Sequence, residues 1–263
     1  GYEIDCRSFA EYNLVKVHSG EREKGSVRCS VLPGKKVRSG FQDKRVCRKP
    51  LEFWLRSGSH DLLWNGYALT QAMGFYTSYF EETGGWQDAV HHTRRYCRKI
   101  SPDQLQMDVF FRYIPLKQRW ILTLESPFVL TWRIQCEFFE KFLFQKEQIN
   151  VMLSPQYTVW HGDNSHGKFP TSFSKDYGGD WTCVYQTQNL SHHFTLSSQS
   201  EPNVLPQVTL ACETTACDWT VKIINSDDLL QGRVFQLYRS PVNIDEPGKV
   251  ENYFTGRIEL ISV

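Results

Sequence analysis

Apolar side chains alternate with polar ones between Met107 and Phe138, and this alternation limits the fold more than any other feature of the chain. It runs through three segments, 107–113, 120–124 and 130–138. A spacing of two places the apolar side chains on one face of an extended strand. The segments PLKQ and ESP between them supply turns. The sequence therefore predicts a three-stranded antiparallel meander.

A different spacing precedes the meander and predicts helices. Between Ser59 and Glu82 the apolar residues follow one another at three, four and seven positions, with Ser59 as N-cap and Gly84-Gly85 as the stop. A second helix is predicted from Trp86 to Lys99, before Pro102. For residues 137–153 a helix is favoured over a continued strand. The apolar set of the first helix is Leu62, Leu63, Leu69, Ala72, Met73, Tyr76 and Phe80.

A long polar stretch, residues 156–180, separates this region from a series of strand-like runs that continue to the end of the chain. Short strands with frequent turn signals are typical of a sandwich. The predicted fold class is α+β. An N-terminal antiparallel sheet with two or three helices forms one domain, residues 1–155, and a disulfide-bonded, mostly-β sandwich forms a second, residues 156–263.

The cysteines indicate the compartment. Their number, eight, is even, and no C-x2-C pair of the kind that binds zinc is present. Structural disulfides explain scattered single cysteines in strand-like runs, and buried free thiols are the alternative. Disulfides predict a secreted or extracellular protein, or an ectodomain separated from its anchor. The residues concerned are Cys6, Cys29, Cys47, Cys97, Cys136, Cys183, Cys212 and Cys217.

Two segments carry tryptophan and cysteine in mirrored order. GGDWTCVYQT covers residues 178–187 and TACDWTVKII covers residues 215–224. If they lie antiparallel with Cys183 facing Cys217, Trp181 falls opposite Trp219 and both rings shield one disulfide. Cys212 competes for either cysteine.

The segment DYGGDWTCVYQ, residues 176–186, resembles the F strand of immunoglobulin domains. In that family an acidic and a small residue precede an aromatic residue placed two positions before a cysteine. The resemblance implies that Cys183 pairs with Cys136 on the B strand, and that the sandwich is immunoglobulin-like.

The charge of the chain excludes a general attraction to polyanions. Thirty basic residues oppose twenty-nine acidic ones, a formal net charge of +1, so nucleic acid is not implied as a partner. No apolar run is long enough to span a membrane. Basic residues still cluster, either as a solvated face or as a patch for an acidic partner, sulfated glycans included. The candidate binding residues are Lys35, Lys36, Arg38, Lys44, Arg45, Arg94 and Arg95.

Candidate chemistry is concentrated in WHGDNSHG, where His161, Asp163 and His166 lie within eight residues. Imidazoles and a carboxylate ligate metals or transfer protons, although a polar surface loop is the simpler interpretation. His91-His92 is not expected to share a metal, because neighbours in a strand face opposite ways. Asn189 in the sequon NLS is a candidate glycosylation site.

These features favour a non-catalytic protein-binding module, such as a secreted factor, a receptor ectodomain or a pathogen decoy of the immune-evasion type. The partner is another protein, and no cofactor is implied, since no phosphate-binding or dinucleotide motif is present. The alternative is a secreted hydrolase or transferase that uses His161, Asp163 and His166. A third hypothesis is a cytosolic or viral structural protein with eight free thiols.

Overall fold

The computed structural model describes residues 2–5, 44–162, 164–175, 181–189, 193–198, 205–214 and 218–261. Within these ranges the chain forms strands β1 to β22 and no helix. The described residues thus contain no helix that could cross a membrane. The predicted α+β class is wrong, and the protein is all-β.

The first of two large sheets has the order β1-β8-β9-β10-β11-β22-β18-β17-β14-β15. Every pairing in it is antiparallel. Its strands are β1 (Tyr2–Asp5), β8 (Thr93–Ser101), β9 (Gln104–Phe111), β10 (Leu116–Ser126), β11 (Val129–Phe138), β14 (Val159–His161), β15 (His166–Lys168), β17 (Phe194–Ser197), β18 (Gln207–Thr214) and β22 (Gly248–Ile261).

The second large sheet has the order β16-β19-β20-β13-β6-β4-β3-β2, with β5 on β4 and β7 on β6. Its strands are β2 (Lys44–Arg48), β3 (Leu51–Leu55), β4 (His60–Trp64), β5 (Tyr67–Ala68), β6 (Thr70–Glu81), β7 (Gly85–Asp88), β13 (Lys146–Leu153), β16 (Thr182–Thr187), β19 (Thr220–Asn225) and β20 (Arg233–Arg239). A short third sheet joins β12 (Phe142–Phe144) to β21 (Val242–Ile244).

The two large sheets pack face to face around an aromatic core. Phe75 of the second sheet meets Trp132 of the first at 5.1 Å between ring centroids, and Trp132 packs on Trp120 at 4.8 Å. Such ring pairs stabilise a core beyond the area that they bury. The predicted meander is confirmed, since β9, β10 and β11 are consecutive antiparallel neighbours and place their alternating apolar residues in this core.

A smaller second core lies on the other side of the second sheet. Tyr76, Met152 and Val234 are buried there. Residues from the connecting segments cover them, among them Val90 and Leu230. The central strands of the second sheet are therefore apolar on both faces at this end.

This double burial explains why β6 has the sequence pattern of a helix. Tyr79 faces the main core and Tyr76 faces the second core, so apolar residues occur at odd and even positions alike. The strands before it also turn at Asn65-Gly66, where φ is +52° and +79°, and Trp64 pairs with Tyr67 across that turn. Asn-Gly between strands is a strong hairpin signal, and it overrides the helical spacing.

The second predicted helix is likewise interrupted by a turn. β7 ends at Asp88, whose Oδ1 accepts hydrogen bonds from the backbone N–H of Val90 at 2.8 Å and of His91 at 2.7 Å. An aspartate that binds the following backbone in this way favours a turn over a helix. β8 then alternates buried and exposed side chains from Thr93 onward.

The third predicted helix is also strand, because Glu147, Ile149 and Val151 of β13 alternate into the core. The predicted strands after residue 180 are confirmed as β16 to β20 and β22. Both large sheets contain strands from either side of residue 155.

The disulfide-bonded character of the fold is not found. No disulfide joins any of the described cysteines, which are Cys47, Cys97, Cys136, Cys183 and Cys212. Cys136 is buried on β11, whereas Cys183 is exposed on β16, so the immunoglobulin-type pair between them is absent. Cys6, Cys29 and Cys217 lie outside the described residues.

Candidate functional site

The outer face of the second sheet carries two rows of polar side chains beside the second core. Residues directly opposite each other in an antiparallel ladder lie on the same face. The strand register therefore aligns two rows of side chains across the strands. The second row lies two residues along each strand from the first. The first row is Asp88, Ser78, Gln148, Tyr238 and Thr220. The second row is Tyr76, Asn150, Gln236, Lys222 and Gln186.

Hydrogen bonds between neighbouring strands hold these side chains in place. Ser78 Oγ donates to Gln148 Oε1 at 2.9 Å, and Gln236 Nε2 donates to Asn150 Oδ1 at 2.9 Å. Ser78, Asn150 and Gln236 are themselves buried, whereas Gln148 is half-buried. Apart from the charged Asp88 and Lys222, the two rows thus consist of uncharged polar groups, several of them covered by neighbouring side chains.

A groove of about 430 Å³ lies at the β16 end of this face. The ring of Tyr238 and the ammonium group of Lys222 form its centre, with Nζ 3.8 Å from the ring centroid. Five of the six lining residues are uncharged. The lining consists of Gln186, Thr187, Gln188, Thr220, Lys222 and Tyr238.

Aromatic surface continues at the opposite end of the face. Trp86 on β7 is 42% exposed and packs on Phe80 of β6 at 5.4 Å between centroids. Lys146 Nζ lies 5.8 Å from the Phe80 centroid. The two polar rows therefore run between an exposed tryptophan and the Tyr238 groove.

Two residues after Trp86, Asp88 has a half-buried carboxylate on which two histidines converge. His92 Nδ1 lies 2.8 Å from Asp88 Oδ2, and His91 Nδ1 lies 3.2 Å from Asp88 Oδ1. Burial disfavours the ionised carboxylate, but hydrogen bonds from His91 and His92 outweigh it and hold the pKa of Asp88 well below its usual range. His91 and His92 lie in the turn after β7 and not in a strand, so both rings can reach the same carboxylate.

Asp88, His91 and His92 form a group that we call the Asp88 cluster. It could not be recognised from spacing alone, since the same three side chains point in different directions in a strand and in a turn. The available signal was the aspartate three and four positions before the histidine pair. Among the described residues no group of three or more acidic, histidine or cysteine side chains has the geometry of a metal site.

His161 and His166 lie directly opposite each other on the β14–β15 hairpin. Their rings stack at 6.0 Å between centroids, and both residues are exposed at the edge of the first sheet. Asp163 lies outside the described residues. Thus the structure brings together two of the three predicted residues, on the last two strands of the first sheet.

The basic candidates among the described residues do not all lie at the surface. Arg45 of β2 is exposed, 3.7 Å from Glu52 Oε2. Arg94 is exposed on β8, but Arg95 points into the core, where Nη2 donates to Ser57 O at 2.5 Å. Lys44 lies on β2. Lys35, Lys36 and Arg38 lie outside the described residues.

Asn189, the candidate glycosylation site, is exposed just after β16. Its backbone N–H donates to Thr187 Oγ1 at 3.1 Å. The exposure satisfies one requirement of a glycan acceptor, and modification of Asn189 stays a prediction.

No family model matches this chain, and no curated protein matches it. Among solved structures, a beta-arabinopyranosidase is similar at 10% identity and a TM-score of 0.45, over 83% of this chain and 40% of that one. A heparinase III is similar at 10% identity and a TM-score of 0.47, over 88% and 36%. A glycoside hydrolase family 81 protein from Clostridium thermocellum has 11% identity and a TM-score of 0.19, over 73% and 34%.

This chain spans less than half the length of each of these proteins. All three carry the names of enzymes. The expectation of a non-catalytic protein-binding module is corrected, because it does not agree with these names.

Proposed function

We propose that the protein is carbohydrate-active, with a glycan chain across the outer face of the second sheet and acid–base chemistry at the Asp88 end. The Tyr238 groove carries the proposal, because amides and hydroxyls surround one aromatic ring there. Amides and hydroxyls both donate and accept hydrogen bonds, which suits sugar hydroxyls. The ring offers an apolar surface to the C–H side of a sugar.

The dimensions of the face support a chain rather than a single sugar. Asp88 and Thr220 are separated by four strand-to-strand steps in the first row, which is about 19 Å at a strand spacing of about 4.8 Å. Trp86 at one end and Tyr238 at the other give two stacking surfaces. An oligosaccharide of a few rings would contact both.

The Asp88 cluster supplies the chemistry. Imidazole is the side chain most used for proton transfer near neutral pH. Because Nδ1 of His92 faces the Asp88 carboxylate, Nε2 is on the side of the ring away from it. A carboxylate that orients an imidazole in this way is a common arrangement in acid–base catalysis.

Calorimetric titration with cellotetraose, mannotetraose and tetragalacturonate tests the binding. At least one should bind, and Tyr238→Ala should weaken binding at least tenfold, or about 1.4 kcal/mol. The matched control is Tyr113→Ala, since Tyr113 is 68% exposed between β9 and β10, away from the face. If the folded protein binds none of the three sugars and no sulfated tetrasaccharide, the proposal is wrong.

Release of reducing ends from the bound tetrasaccharide tests the chemistry. We expect His91→Ala with His92→Ala to lose turnover and keep binding. The second candidate centre is the His161–His166 pair, favoured by the stacking of its rings across the hairpin. Turnover that survives the first double variant and is lost in His161→Ala with His166→Ala assigns the chemistry to the hairpin.

A further inference from the structure

Lys222 has surroundings unlike those of Lys117 and Lys249, which form ion pairs. Its ammonium group lies over the Tyr238 ring at 3.8 Å, and none of the described residues that line the groove with it is acidic. By contrast, Lys117 and Lys249 on the first sheet share Glu137, at 3.7 Å and 3.9 Å. Lys222 is therefore a partly buried cation held by a ring and surrounded by neutral groups.

The surroundings of Lys222 favour an anion in the groove. A cation partly removed from water loses solvation, and an aromatic ring restores only part of it. Gln186 faces Lys222 on the neighbouring strand and lines the groove, and its amide N–H groups are further donors for an oxyanion. A ligand group with negative charge would complete this arrangement, whereas a neutral sugar would leave the lysine without a counter-charge.

We infer that the glycan bound in the Tyr238 groove carries an anionic group, the carboxylate of a uronic acid or a sulfate, and that Lys222 binds it. This inference rests on the proposed function and narrows its substrate class to acidic glycans. Because Lys222 is the one charged residue among the described residues that line the groove, it selects the anionic group of a single sugar in the chain.

The test compares ligands that differ only in the anionic group. Tetragalacturonate is titrated beside its carboxyl-reduced form, and a keratan sulfate tetrasaccharide, which has no uronic acid, beside its desulfated form, on the intact chain. We expect at least one acidic ligand to bind tenfold or more tightly than its neutral counterpart, and its affinity to fall with added salt. A preference for the acidic member of the first pair identifies a carboxylate as the bound group, and a preference within the second pair identifies a sulfate.

The variants assign that preference to Lys222. Lys222→Gln should abolish the difference between the paired ligands, and Lys222→Arg should keep most of it. Lys249→Gln, on the opposite sheet, should have no effect. Thermal unfolding of each variant confirms that it is folded.

The outcomes separate this inference from the proposed function. Equal binding of acidic and neutral ligands overturns the inference and leaves glycan binding intact. A preference that persists in Lys222→Gln also overturns it. If no ligand of either kind binds to the folded wild type, the proposed function fails, and the inference fails with it.

Discussion

Cys183 lies opposite Ile224 in the β16–β19 ladder, seven residues beyond Cys217. The described parts of the two segments are antiparallel neighbours, as their mirrored order predicts, and Cys183 faces an apolar residue in the ladder. Cys217, the partner proposed for it, lies outside the described residues. The tryptophans separate, since Trp219 is in the main core and Trp181 packs against the second core.

The cysteines should therefore differ widely in reactivity. Burial raises the pKa of Cys136 well above its usual value and that of Cys212 to about 12, and only the thiolate reacts. At pH 8 about one Cys212 in ten thousand is ionised. We expect N-ethylmaleimide to label the exposed Cys183 first and to spare Cys136 and Cys212 until unfolding, as followed by peptide mass spectrometry. A Cys183 that labels only after reduction would contradict this arrangement.

Glu147→Gln should destabilise the fold by about 3–5 kcal/mol, because it removes the buried counter-charge of Arg239 and leaves that cation only the exposed Asp218, at 3.5 Å, as an acidic partner among the described residues. Glu147 is fully buried, with Oε2 accepting from Arg239 Nε at 2.7 Å and Oε1 accepting from the Tyr253 hydroxyl at 2.5 Å. Urea unfolding measures the change. Glu137→Gln is the control, since Glu137 pairs with lysines on the surface of the first sheet. Equal losses in both variants would show that the buried pair has no special role.

Gly74→Ala should be far more harmful than Gly66→Ala. Both glycines have positive φ, +65° and +79°, which adds about 1 kcal/mol of strain to any other residue. A Cβ at Gly74 would lie only 1.9 Å from the carbonyl oxygen of His60, whereas a Cβ at Gly66 meets nothing within 4 Å. Thermal melting should show a small loss for Gly66→Ala and a large one, or no folded protein, for Gly74→Ala. Similar melting points would mean that β4 and β6 do not approach so closely.

The Asp88 cluster predicts a pH-dependent contribution to stability. Burial raises the pKa of Asp88, but hydrogen bonds from His91 and His92 lower it by more. A carboxyl with a depressed folded pKa stabilises above its unfolded value, about 3.9, and this contribution disappears as the pH falls toward the folded value. The free energy of unfolding of wild type minus that of Asp88→Asn should therefore shrink below about pH 4. A difference that stays constant from pH 2 to pH 6 would contradict the ionic cluster.

Sequence patterns identify strands that bury one face and fail for strands that bury two. Trp120 and Trp132 lie in strands whose other side chains meet water, so an alternation of two is visible. Tyr76 and Tyr79 belong to one strand between two cores, and their spacing of three imitates a helix. The same limit hid the polar rows, because Ser78 and Gln148, and likewise Gln236 and Lys222, become neighbours only through the strand register. The Asn65-Gly66 turn was the local signal that could have corrected the fold class.

The position of β22 has a consequence for how the protein is made. This strand, residues 248–261, lies between β11 and β18 in the interior of the first sheet. During synthesis β11 is complete more than a hundred residues before β22, so until then the edge of β11 has no strand to pair with and the aromatic surface around Trp132 is incompletely covered. We expect the nascent chain to depend on chaperones until β22 leaves the ribosome.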